Sequence, residues 1–221
     1  IEKSLKKSNE HLANGGTSVE AVKIAINILE DSTHFNAGKG SVFNSVGTHE
    51  LDASIMNGEN VQAGAVAGLT NIKNPIDAAI AVMEHSPHVF LIGKGAEEFV
   101  VAHGVETVPQ SYFYNDDRYN EHIGDLHENN KKFGTVGAVA IDKNGNIAAG
   151  TSTGGMTNKR FGRVGDVPVI GAGTYAENGV GGLSATGHGE YFIRNVVTYD
   201  IAAQVKYGTS TLDEAGYHTL M

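Results

Sequence analysis

The sequence predicts a mixed α+β fold with strands in the middle of the chain and helices outside them. Three observations carry this. Capped amphipathic patterns open at Thr17 and Asn74, two apolar runs flank an Asn144-Gly145 pair, and a helical period returns after Glu190.

Taken in order, Ile1, Leu5 and Leu12 among alternating lysines and glutamates predict a helical stripe that stops at Gly15-Gly16. Thr17 and Glu20 stand at capping-box spacing and open a second helix, in which Val22, Ile26 and Leu29 share a face. Segments 61–69 and 135–150 read as strands, the second folded into a hairpin at Asn144-Gly145. Asn74-Pro75-Ile76-Asp77 opens another helix, with Asn74 as cap and Pro75 in the first turn, running to about His85 before Pro87. Residues 111–133 are polar and lack a steady apolar period, so a mobile linker is expected there. A helix is expected from Glu190 to about Tyr207, with Phe192, Val196 and Ala203 on one stripe and Gly208 as its stop. Thr211 and Glu214 repeat the capping-box spacing and announce a last helix over LDEAGYHTLM.

At 221 residues the chain can bury one sizeable core as a single domain. With 16 Lys plus Arg against 25 Asp plus Glu, a formal net charge of -9, a phosphate-binding surface is disfavoured and a small-molecule substrate fits better than nucleic acid. There is no cysteine, which removes disulfides, thiolate nucleophiles and thiolate zinc sites. No run reaches the roughly 18 apolar residues that span a membrane. The first residues do not resemble a signal peptide, and the expected location is the cytoplasm.

The chemistry centres on Gly134-Thr135-Val136-Gly137 at the mouth of a strand. A threonine hydroxyl is a weak nucleophile at neutral pH and needs a base beside it. A chain break before Thr135 would supply one, since the freed α-amine, with an ordinary pKa of about 7.7 to 8.0, would lie close to its own hydroxyl. Gly134 suits the cleaved side, having no side chain to obstruct attack and tolerating a strained backbone. On these residues alone, a Gly-Thr pair opening a strand is usually only strand punctuation.

The run from Gly134 through TSTGGMTNK, GRVGD and SATGHGEYFIR resembles the nucleophile subunit of plant-type asparaginases, also called isoaspartyl peptidases. The resemblance extends upstream through FNAGKGSVFNSVGTHELDASIMNG, VQAGAVAGLTNIKNPIDAAIAVME and SPHVFLIGKGAEEF. Glycosylasparaginases are similar in GRVGD and ATG, but carry HDT where this chain has FGT. The resemblance implies an N-terminal nucleophile (Ntn) hydrolase: an αββα sandwich of two antiparallel sheets between helical layers. It also implies a precursor cut into an α subunit, 1–134, and a β subunit, 135–221, assembled as a dimer of αβ heterodimers. Family members carry a strand before the first helix and further strands after the last. The chain is therefore expected to be truncated at both ends, with the sandwich incomplete.

The same resemblance assigns Thr135 as nucleophile, Thr153 as the threonine that orients it, and Thr186 with Gly187 as the oxyanion site. Arg163 and Asp166 become the clamp for a substrate's α-carboxylate and α-ammonium, with Gly187 and Gly189 beside it. The backbone carbonyls of Leu29, Glu30, Ser32, Phe35, Ala37 and Lys39 stand at the positions of a structural sodium site, and Asn36 lies near the nucleophile. No cofactor is expected in catalysis. Substrates would be L-asparagine and β-aspartyl dipeptides; the competing readings are a catalytically silent relative or binding module, and a glycosylasparaginase-like amidase.

Two other patterns compete with this reading. His85 and His88 form HxxH, joined by His122 and His127, but the first two straddle Pro87 and no HExxH glutamate accompanies them, so solvated or core histidines are the expectation. Gly171-Ala172-Gly173-Thr174-Tyr175-Ala176 matches a dinucleotide-binding pattern, yet ENGVGG after it is a poor helix start.

Overall fold

A computed structural model describes residues 1–124 and 134–221. The central sheet contains β1 (Leu51–Asn57), β2 (Gln62–Leu69), β3 (Phe90–Ile92), β4 (Val136–Ile141) and β5 (Ile147–Thr153), in the order β3-β2-β1-β5-β4. β1 and β5 lie in the middle and are buried on both faces, so their sequences are nearly continuous in small and apolar residues. Edge strand β4 alternates buried or half-buried with exposed positions. All neighbouring pairs are antiparallel except β2 with β3, a departure from the uniformly antiparallel sheet expected. The cause is the connection, since α3 (Pro75–His85) crosses over between β2 and β3.

On one face lie α1 (Glu2–Ala13), α2 (Ser18–Glu30), α3 and α4 (Gly93–Ala102), with α2 on β4 and β5 and α3 on β1 and β2. Val22, Ile26, Leu51, Ile55, Val66, Ile76 and Val82 form the core between these layers. Against the opposite face packs the hairpin of β6 (Thr174–Glu177) and β7 (Gly181–Ser184), covered by α6 (Gly189–Asn195), α7 (Val197–Tyr207) and α8 (Leu212–Leu220). The layers are therefore α, β, β, α. Hydroxyls join the two sheets: Ser54 Oγ lies 2.8 Å from Thr174 Oγ1, which lies 2.7 Å from Thr151 Oγ1, itself 2.7 Å from Ser184 Oγ.

Several elements differ from expectation for identifiable reasons. The α1 stripe is not its buried face, since Ile1 and Leu5 are 74% and 65% exposed. Instead Ser4 and Ser8 donate to the Ala25 and Ala21 carbonyls, at 3.1 and 3.0 Å, and so let α1 lie close along α2. The single helix expected after Glu190 is two helices, because Val196 adopts a left-handed conformation (φ 49°) and re-aims the chain. The buried stripe is consequently Val197, Ile201 and Ala202, while Val196 is exposed. Part of the expected linker is α5 (Asp116–Ile123), begun by Asn115 accepting from the Asp117 N–H at 2.8 Å. Polar anchors hold it: buried Arg118 donates to the Gly40 carbonyl at 3.0 Å and to both oxygens of Glu121 at 2.9 Å. Residues 125–133, His127 among them, lie outside the described residues.

The start of α3 is more unusual. Asn74 stands at the N-cap as expected, but its side chain makes no capping bond; its amide donates to Glu30 at 3.1 Å and Asp31 at 3.3 Å, and Glu30 Oε1 accepts the Ile76 N–H at 3.0 Å. A carboxyl at the end of α2 thus caps α3 from inside the core. Burial pushes Glu30 up to about 8, against the opposing pull of Ser152, Asn74 and the Ile76 amide. The folded state therefore keeps a proton that the unfolded chain releases near 4.5. Its contribution to stability is complete below that value and is lost as pH rises through about 8, by at most ~5 kcal/mol. Urea unfolding at pH 5 and 8.5 should show this fall, and Glu30→Gln should flatten it; an equal slope in both proteins would refute the assignment.

Candidate active site

The pairing of β4 with β5 places the proposed nucleophile. Val136 is opposite Ser152, so Thr135 stands opposite Thr153 where the two strands end. Thr135 Oγ1 donates to Thr153 Oγ1 at 2.8 Å. Thr153 is buried and also accepts the Gly155 N–H at 3.1 Å. The carbonyl of Gly134, the one Thr135 would attack in self-cleavage, accepts the Asn36 N–H at 3.0 Å. This polarises the bond preceding Thr135. Apart from its chain neighbours, no described atom lies within 4 Å of a Cβ built on Gly134, so that side of the bond is open to attack.

Asn36 is fixed at four points. Besides its N–H, its carbonyl accepts from Gly154 at 3.1 Å, its Nδ2 donates to the Gly155 carbonyl at 2.6 Å, and its Oδ1 accepts the Val42 N–H at 3.0 Å. It therefore joins the residue before the nucleophile to the turn that follows Thr153.

Thr186 borders the same cavity as Thr135, a cleft of about 320 Å³ that Thr151 and Ser184 also line. Gly187 is exposed and faces the Phe192 ring, which a Cβ there would approach to 2.6 Å. Arg163 and Asp166 do not line this cleft; they meet at Gly189, three residues beyond Thr186. A Cβ at Gly189 would lie 2.7 Å from the Arg163 guanidinium and 2.8 Å from the Asp166 carboxylate, so only glycine lets the two charges converge. Burial raises the Asp166 carboxyl, with Arg163 counteracting, and Asp166 Oδ2 has no hydrogen-bond partner among the described residues.

Glu190 is a partner that sequence reasoning missed. It receives Arg163 Nε and Nη2 at 3.0 and 3.1 Å, and the guanidinium holds its carboxyl down at about 2. The signal for it was an acid closing the same Gly-rich turn, SATGHGE.

The sodium-site residues end α2 and enter the 3-10 turn Gly38–Gly40. A Cβ at Gly40 would lie 2.9 Å from the carbonyl oxygens of both Ser32 and Thr33 and would also press on that of Phe35. Carbonyls thus converge on that point, Thr33 joining two of the expected six, a donor set that fits a hard cation. Among the described residues no cluster of three or more His, Asp or Glu is arranged to hold a metal. His85 stacks on His103 with centroids 5.0 Å apart, and Gly171–Gly173 leads into strand β6 instead of opening a helix.

The chain matches the family described as Asparaginase over residues 1–221. It is 48% identical to the isoaspartyl peptidase of Escherichia coli, over 95% of this chain and 70% of that protein. It is 45% identical to the isoaspartyl peptidase of Salmonella typhimurium, over 98% of this chain and 74% of that protein. With the isoaspartyl peptidase/L-asparaginase of Xenopus laevis the identity is 42%, over 97% and 72% respectively.

Glu190→Gln should loosen Arg163 with little thermodynamic effect, about 1 kcal/mol or less, because Glu190 is half exposed. Peptide mapping after phenylglyoxal treatment should find Arg163 modified several-fold faster in the variant; an unchanged rate would mean that Glu190 does not hold it.

Proposed function

The chain belongs to the asparaginase family, and from that premise we propose that it is an autoprocessing threonine amidohydrolase acting on L-asparagine and β-aspartyl dipeptides. The observation that carries the reading is the Thr135–Thr153 hydroxyl pair at 2.8 Å beside a Gly134 carbonyl held by the Asn36 N–H. In maturation, Thr135 Oγ attacks the Gly134 carbonyl and the peptide C–N bond breaks as an ester forms on Oγ. Water then hydrolyses the ester, leaving a Gly134 carboxylate and a free α-amine on Thr135. That amine takes the Thr135 hydroxyl proton in turnover, and Oγ attacks the substrate's side-chain carbonyl. Ammonia or an amine leaves with a proton, and water releases aspartate from the acyl-enzyme.

The remaining roles are those the family resemblance implies. Thr153 orients the Thr135 oxygen, and Thr186, which borders the shared cleft, serves the developing oxyanion together with its neighbour Gly187. Arg163 binds the α-carboxylate and Asp166 the α-ammonium on either side of Gly189, so that the side-chain amide is the bond presented. A sodium ion on the main-chain oxygens of residues 29–39 would stiffen the loop that carries Asn36. Assembly as a dimer of αβ heterodimers and residence in the cytoplasm complete the proposal, on the family resemblance.

Denaturing mass measurement should find fragments 1–134 and 135–221 after incubation, and Thr135→Ala should abolish both cleavage and turnover. An intact wild-type chain that still hydrolyses asparagine would sink the mechanism. Thr153→Val should slow both reactions by roughly tenfold or more, the worth of one oriented hydrogen bond. Gly189→Ala should cleave normally but show a KM raised about tenfold, a hydrogen-bonded charge contact being worth ~1.5 kcal/mol or more; an unchanged KM would remove Arg163 and Asp166 from the clamp.

A further inference from the structure

Behind the nucleophile lies a buried cation that the mechanism above does not use. The Lys159 side chain is 2% exposed, and its Nζ donates to the Glu50 carbonyl at 3.1 Å. Two carboxylates face it, Glu50 Oε2 at 3.6 Å and Asp52 Oδ2 at 3.8 Å. Asp52 is equally buried, its other oxygen accepts the Gly68 N–H at 2.9 Å, and Oδ2 has no hydrogen-bond partner among the described residues. Burial pushes the Asp52 carboxyl up, and the Lys159 ammonium pulls it back, with a smaller contribution from Arg163. Asp52 is also the cross-strand neighbour of Thr153.

The ammonium bears on the turn after Thr153. A Cβ at Gly155 would lie 3.0 Å from both Cδ and Nζ of Lys159, so the lysine packs directly against that α-carbon. Gly155 in turn donates to Thr153 Oγ1, the acceptor of the Thr135 hydroxyl. Asn36 holds the Gly155 carbonyl. Both carboxylates stand beyond hydrogen-bonding distance of the ammonium, so this is a poor device for stability alone. A buried pair of this kind usually returns less than apolar packing in the same space.

We propose that Lys159, anchored by Asp52 and the Glu50 carbonyl, is a positioning residue for catalysis: it fixes the Gly154-Gly155 turn so that the Gly155 N–H and Thr153 Oγ1 aim the Thr135 hydroxyl. The proposal rests on Thr135 being the nucleophile. It makes the charge pair part of the reaction's geometry, acting through Thr153 without touching substrate.

The test compares Lys159→Met, Asp52→Asn and the double variant with wild type, reading Tm, the rate at which fragment 135–221 appears, and kcat and KM for L-asparagine. Lys159→Met is expected to lower Tm and to slow fragment release and kcat at least tenfold, with KM within twofold. The double variant removes both charges, and is expected to regain Tm while fragment release and kcat stay slow. Wild-type rates in the double variant would overturn the proposal, since compensation of a buried charge would then be the whole role; unchanged rates in Lys159→Met would overturn it too. Should Lys159→Met not fold, the double variant decides alone. A wild-type protein that neither cleaves nor turns over would strike instead at the assignment of Thr135.

Discussion

The register between β4 and β5 is the constraint on which the site depends. Because side chains alternate along a strand, the pairing of Val136 with Ser152 sorts consecutive hydroxyls to opposite faces. Thr151 and Thr153 point to the hairpin side, where they meet Ser184 and Thr135. Ser152 lies on the helical side near Glu30. A slip of one residue would exchange these sets, placing Thr153 among the helices and a serine opposite the nucleophile. Burial of β5 on both sides makes such a slip costly.

Charge is handled differently at the two sides of the site. In direct contact with Thr135 and Gly134 the polar work is done by a hydroxyl and a main-chain amide, with the Lys159 charge set one contact further back. Around Gly189 it is done by ions, and their convergence relies on a missing side chain more than on attraction. Arg163 satisfies its fork with Glu190, leaving buried Asp166 without a hydrogen bond on one oxygen. An unpartnered oxygen on a buried carboxyl is an expensive feature, and in the proposed function the ligand's ammonium relieves it.

Much of the fold could be read from the chain wherever the deciding contact was local. Thr17 and Thr211 accept from residues three positions on, and both helix starts fell where their spacing put them. The hairpin at Asn144-Gly145 and the stop at Gly208 were equally local. Where the contact is distant the reading failed. Asn74 holds the cap position, but its amide is drawn away to Glu30, 44 positions earlier. The break at Val196 carries no glycine to announce it, and α5 is held by an arginine reaching a carbonyl 78 residues away. The site shows the same division. Thr135 and Thr153 were legible through motifs, and the fold brings them together. Lys159 reaches the Glu50 carbonyl across 109 positions, a meeting that only the fold creates.

The carboxyl of Glu30 has a consequence for how the molecule breathes. It is simultaneously the last residue of α2 and the acceptor at the first turn of α3. If α3 frays, that carboxyl loses the amide donors that reconcile it with burial; if α2 frays, the Ile76 N–H at the start of α3 loses its acceptor. Neither helix can open without raising the free energy of the other. The two consequently form one cooperative unit, whose amides should exchange with solvent together, and which carries the loop bearing Asn36 at its edge.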